Sequence, residues 1–165
     1  MSDRRSERQL GMHAEALDAE WPDEAALEEW RARTERLGLA AAPHLEALLD
    51  EVPHTISAVV CTGDGINLCS VGLYEEGVGP SAALASSVHS VARAAVEVLP
   101  EVPRDPELDV VSVQSGDTLL IYITFEHPTL GPLILAAAGR GSSLGELLLE
   151  SRRTAARVRE SVGEL

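Results

Sequence analysis

Hydrophobic and polar positions change their period several times along this chain, and each change marks an element. Leu27, Trp30, Thr34 and Leu37 recur at helical spacing after Pro22, with Glu29 and Arg33 four apart in the favourable order. This predicts a helix near 22–37 that Gly38 ends in the left-handed region, and a second helix from Pro43 on the stripe Leu45, Leu48, Leu49 and Val52. Pro53 closes it. The stretch Ile56 to Gly72, ISAVVCTGDGINLCSVG, then reads as a β-hairpin, two β-branched runs joined by Gly63-Asp64-Gly65. Neither run alternates cleanly, so helices are expected to cover both of its faces.

Leu73 to Gly79 reads as a loop, and Pro80-Ser81 as the start of a helix reaching about Leu99. Leu84, Val88, Val91 and Val98 mark one face of it, Ala85, Ala92 and Val96 a second, which predicts burial on two sides. Val102 to Glu107, with two prolines, reads as a loop. Strands follow at Leu108–Ser115, Thr118–Phe125 and Leu133–Ala138, close enough for an antiparallel meander. Ser143 and Glu146 stand at capping-box spacing before a last helix striped by Leu144, Leu147, Leu148, Ser151, Ala155, Val158 and Val162. Arg152, Arg153, Arg157 and Arg159 in its second half suit the negative helix end. Helix, two strands, helix, three strands and helix make an α+β protein whose five-stranded antiparallel sheet lies between helical layers. The expected organisation is an acidic extension over 1–42, partly disordered up to Glu20, a compact domain over 43–162 and a short tail at 163–165.

Length and charge narrow the field. The 165 residues suit one domain with some extra, and with 3% aromatics the core must be built from Leu, Val, Ile and Ala. A net charge of −14, 27 acids against 13 arginines and no lysine, disfavours nucleic-acid binding and matches the residue usage of a high-GC bacterial genome. The opening residues lack an apolar segment and no run is long enough to span a bilayer, so a cytoplasmic protein is expected.

Little in the chain suggests catalysis. Gly139-Arg140-Gly141-Ser142-Ser143-Leu144-Gly145 invites a nucleotide reading, but no parallel strand follows the helix, and a tight strand-to-helix turn explains it better. Without lysine the usual P-loop is impossible. His13, His44, His54, His89 and His127 show no zinc-hydrolase spacing, and Cys61 and Cys69 read as small buried hydrophobes, facing the same way across a three-residue loop and opposite ways across a two-residue one. Ser87 and His89 cannot face each other on a helix, so no nucleophile is in place. Asp64 reads as a turn residue, and Glu75-Glu76 as part of an acidic surface. No catalytic residue, cofactor or metal is expected.

LEALLDEV, ISAVVCTGDGINLCSVG, the helix SAALASSVHSVARAAVEVL, DVVSVQSGDTLLIYITF and LILAAAGRGSSLGELLLESR together resemble, in order and spacing, a bacterial roadblock domain of the roadblock/dynein light chain family. The likeness covers about Pro43 to Val162. It implies a roadblock/profilin-like sandwich with the central helix on one sheet face and the first and last helices on the other. It also implies a homodimer in which the strand at Leu108–Ser115 lies at the sheet edge and pairs with its twin. Val110, Val111, Val113, Ala85, His89, Ala92 and Val96 are the interface residues expected on that basis. Family members are noncatalytic regulators and adaptors, and bacterial ones commonly work with small Ras-like GTPases. The Trp-bearing extension departs from shorter relatives, and makes Trp21, Leu27 and Trp30 candidate docking residues for a partner. The alternatives are a dimerisation adaptor recruiting a non-GTPase partner through that helix, and a small-ligand or nucleotide sensor using the Gly139–Gly145 turn.

Overall fold

The computed structural model describes residues 23–100 and 109–163. The readings made above for Met1–Glu20, Trp21, the Val102–Glu107 loop and the last two residues lie outside them. One compact unit begins at Arg33 and holds the sheet, while residues 23–32 belong to a separate unit before it. In that first unit Asp23 caps the helix start, its carboxylate accepting the Ala26 N–H at 2.7 Å.

The expected pair of helices is one helix, α1, Glu24–Glu51, with Pro43 inside it. Gly38 does not end it. A Cβ at Gly38 would stand 2.2 Å from the Leu68 carbonyl oxygen, so the glycine lets the helix lie against backbone, which a C-cap reading cannot detect. Leu37 and Ala41 are buried in the main core, so the compact unit takes in helix residues ahead of Pro43. Pro43 costs one intrahelical bond, and the helix continues because its Leu45, Leu48 and Val52 stripe is anchored in the same core.

Strands β1 (Thr55–Thr62) and β2 (Asn67–Val71) form the hairpin. Its tip is pinned. Gly65 takes φ +88°, the Thr62 hydroxyl donates to the Asp64 carboxylate, and the Ser86 hydroxyl donates to the Gly63 carbonyl at 2.6 Å. Asp64 is therefore a turn residue. A register shift after Val60 sets Cys61 opposite Asn67 and Val60 opposite Cys69, which sends the two cysteines to opposite sheet faces.

Helix α2, Glu75–Glu97, starts earlier than expected and includes most of the stretch read as a loop. Pro80, near its start, forfeits only the bond to the Glu76 carbonyl, so it does not mark the first turn. Strands β3 (Val110–Ser115), β4 (Thr118–His127) and β5 (Gly131–Arg140) form the meander, and α3 (Leu144–Val162) completes the chain. Ser143 makes no capping bond, so the capping box is not formed, and Leu144 stays exposed. The stripe is otherwise as expected, with Thr154 added to it.

All neighbours are antiparallel and the order is β2-β1-β5-β4-β3. On one face α1 and α3 bury Val60, Ile121, Ile123, Leu133 and Leu135; on the other α2 covers Val59, Cys61, Tyr122 and Ile134 through Ala82 and Ala85. Alanines at those two positions let α2 approach closely, and the Cys61 thiol reaches the Ala82 carbonyl at 3.7 Å. Buried His127 ties the end of β4 to the end of α3. Its Nδ1 accepts the Thr129 and Leu130 N–H groups, each at 3.2 Å, so the ring proton sits on Nε2 and donates to the Val162 carbonyl at 3.2 Å.

Candidate interaction surface

Among the described residues strand β3 has β4 as its one neighbour and is an open edge. The Thr124 N–H donates to the Asp109 carbonyl at 3.0 Å, and antiparallel alternation from that bond turns the main-chain N–H and C=O groups of Val110, Ser112 and Gln114 away from β4. Side chains alternate independently. Val111 and Val113 pair with Tyr122 and Leu120 and share the α2 face, while Val110 pairs with Ile123 on the α1/α3 face. A Val-rich edge with unpaired backbone is a template for another strand.

On that same sheet face α2 is covered on one side only. Leu84 and Val91 on the helix and Val98 at its C-cap, seven residues apart, are 62, 69 and 80% exposed, so among the described residues the expected burial on two sides does not occur. This spacing is the seam pattern of paired helices. The period groups Val88 with Leu84, Val91 and Val98, but Val88 packs against the sheet-side cluster, and the interface residues expected on the helix fall on that inward side too. Ala85 is wholly buried between α2 and the sheet and offers nothing to a partner. His89 turns onto the sheet, its Nδ1 3.0 Å from the Thr124 hydroxyl, and Ala92 and Val96 are half-buried. Side-chain size does not settle it either, because Ala83, Ala94 and Ala95 are exposed while Val88 and His89 turn inward beside Ala82 and Ala85.

The charges around this surface are modest. Arg93 and Glu97 pair at 3.3 Å along α2. Partial burial pushes the His89 pKa down, the Arg93 guanidinium adds to that, and Glu126 opposes it. Burial pushes the Cys61 thiol up to about 12 and Cys69 up to about 11, which makes both poor nucleophiles. Among the described residues no group of His, Cys, Asp and Glu side chains could hold a metal ion. No helix among them is long and apolar enough to cross a membrane.

The glycine-rich turn is closed from within. The Arg140 N–H donates to the His54 carbonyl at 2.9 Å and the Gly141 N–H to the Asp117 carbonyl at 2.7 Å. A Cβ at Gly139 would collide with Ser142 and crowd Leu147, so the glycine serves packing between β5 and α3. Amides already bonded inside the protein do not cradle a phosphate. Leu27 and Trp30 are exposed on the first part of α1.

The layered sheet thus ends in an edge strand, and the helix on one of its faces keeps exposed apolar residues. No protein-family model matches the sequence, and no curated protein matches it. Solved structures do match. The chain is 26% identical to the Roadblock/LC7 domain from Streptomyces avermitilis, over 71% of this chain and 90% of that one, with a TM-score of 0.57. It is also similar to the gliding protein MglB from Thermus thermophilus (16% identity, 78% and 93% covered, TM-score 0.64). An MglB with a tetrameric arrangement aligns as well (18%, 78% and 93%, TM-score 0.63). The fold is that of the bacterial Roadblock/LC7 domains, to which the chain is similar.

Proposed function

We propose that this chain is a noncatalytic, homodimeric roadblock regulator or scaffold serving a small Ras-like GTPase or its signalling complex. The observation that carries the proposal is the open β3 edge, with Val111 and Val113, on the sheet face where α2 exposes Leu84, Val91 and Val98. Each of those three helix side chains contributes about 1.5–3 kcal/mol if fully buried. Counted on both copies they give roughly 9–18 kcal/mol against an association cost of roughly 4–15 kcal/mol, and strand pairing adds to the difference. A second copy supplies both contacts through one two-fold axis. The tetrameric arrangement of an MglB of like fold favours self-association as the mode of action. The GTPase assignment rests on the roadblock resemblance.

Val113→Lys and Val91→Asp test the dimer, since both positions are exposed and neither change enters the core. Native helicity with half the mass in sedimentation is the expected result; an unchanged mass refutes this interface. The partner is tested by capture of small GTPases in GDP and in a nonhydrolysable GTP analogue, followed by hydrolysis assays. Capture that depends on nucleotide is expected. Retention of non-GTPase proteins alone, abolished by Leu27→Glu with Trp30→Ala, would instead establish an adaptor working through the first part of α1.

A further inference from the structure

The four arginines in the second half of α3 are not equivalent. Arg153 pairs with Glu150 at 2.6 Å and Arg157 faces Glu51 at 3.8 Å, whereas Arg152 and Arg159 meet no acid among the described residues. These two flank Ala155 and Ala156 on one stripe of the helix, about 10 Å apart from a rise of ~1.5 Å per residue. The alanines line a trough of about 270 Å³ between α3 and the sheet, whose lining also includes Val110, Ile123, Phe125 and Asp109. It is an apolar slot whose helical wall carries an arginine before and after the two alanines, on a protein of net charge −14. The room suits one leucine-sized side chain and not a whole helix.

We propose that this trough is a docking site for an acidic amphipathic helix of a partner protein, which inserts one large aliphatic residue and sets a carboxylate on each arginine. The spacing Glu–x–x–Leu–x–x–x–Glu meets all three points, because residues three and seven apart share a helix face. The chain's own acidic helix does not supply it. From Glu24, Leu27 falls correctly but Arg31 stands where the second acid is needed. Asp109 at the strand end opposes a third acid and so limits the motif to two. The site lies on the sheet face opposite α2, and the assignment stands apart from the homodimer and from the GTPase.

The probe is a short alanine-based peptide with that spacing, labelled for fluorescence anisotropy with the full chain at low ionic strength. Binding should be at least tenfold tighter than for the Gln–x–x–Leu–x–x–x–Gln peptide and should weaken as salt is raised. Arg152→Glu with Arg159→Glu should abolish it and gain affinity for the peptide carrying Arg at both acid positions. Ala156→Trp, at an exposed position, should block the slot with helicity unchanged. Equal affinity for the Glu and Gln peptides overturns the proposal, as does full binding by a natively helical Ala156→Trp. Arginine-dependent sedimentation with phosphatidylserine vesicles, without peptide binding, would overturn it in favour of an anionic surface.

Discussion

Gly38→Ala sets two effects against each other. Alanine in a helix interior is favoured over glycine by about 1 kcal/mol, and α1 continues on both sides of this position. The new Cβ, however, would stand 2.2 Å from the Leu68 oxygen and 3.1 Å from its carbonyl carbon. Those are backbone atoms of β2 and cannot rotate away, so helix and hairpin must separate along a buried contact. Overpacking of that kind costs about 1–3 kcal/mol or more, and with a backbone atom as the obstacle the upper end applies. The expected net loss is about 2 kcal/mol, a fall in melting temperature of roughly 4–8 °C for a chain of this size. Gly77→Ala is the control. Gly77 lies in α2 with nothing within 4 Å of its Cβ position, so the same substitution there should stabilise by up to ~1 kcal/mol. Urea unfolding at one fixed protein concentration, which keeps any association constant, measures both. A Gly38→Ala protein as stable as the parent, beside a Gly77→Ala protein that gains, would show that α1 does not rest on the Leu68 carbonyl.

Buried and half-buried groups supply three further tests. Because the folded-state pKa of His89 is depressed, its neutral form contributes stability above the ordinary histidine value that is lost as pH falls through the folded pKa; His89→Gln should flatten the change in urea midpoint between about pH 7.5 and about pH 5. Both thiols should resist alkylation in the folded protein at about pH 8 and react fully in urea, and rapid labelling of Cys61 without denaturant would contradict its burial. His127→Ala leaves the Thr129 and Leu130 N–H groups and the Val162 carbonyl without their ring partner. It should cost about 2–4 kcal/mol and speed amide exchange most at the end of α3, which a two-dimensional exchange spectrum would register.

The strands were legible because each is a short apolar run bounded by turn residues, and their number and order give the layered sheet. Helix ends were not, and the reason is the same at Gly38, Pro43 and Pro80. Glycine and proline were read as local punctuation, whereas Gly38 answers to Leu68 in the hairpin and the prolines are tolerated because packing holds the helices through them. Period did not sort the faces of α2, since it groups Val88, which packs on the sheet, with the exposed Leu84, Val91 and Val98. The arginines of α3 show the limit most plainly. Four similar residues on one helix divide into paired and unpaired only once Glu51 of α1 is known to lie beside Arg157.

The position of β1 between β2 and β5 has a consequence for synthesis. As the chain leaves the ribosome, α1, the hairpin, α2 and the first part of the meander all emerge before the strand that must lie against β1. Until Gly131–Arg140 has been made, the hairpin and the β3–β4 pair remain two separate ribbons with bare inner edges, and neither has a sheet against which α1 can bury its leucines. Strand β5 is thus the keystone, and closing it brings together segments far apart in sequence, an ordering step that is slow. Truncated products ending before Gly131 therefore have no stable partial fold available. A nascent chain of this protein is most exposed to chaperones and to misassociation in the interval before its fifth strand appears.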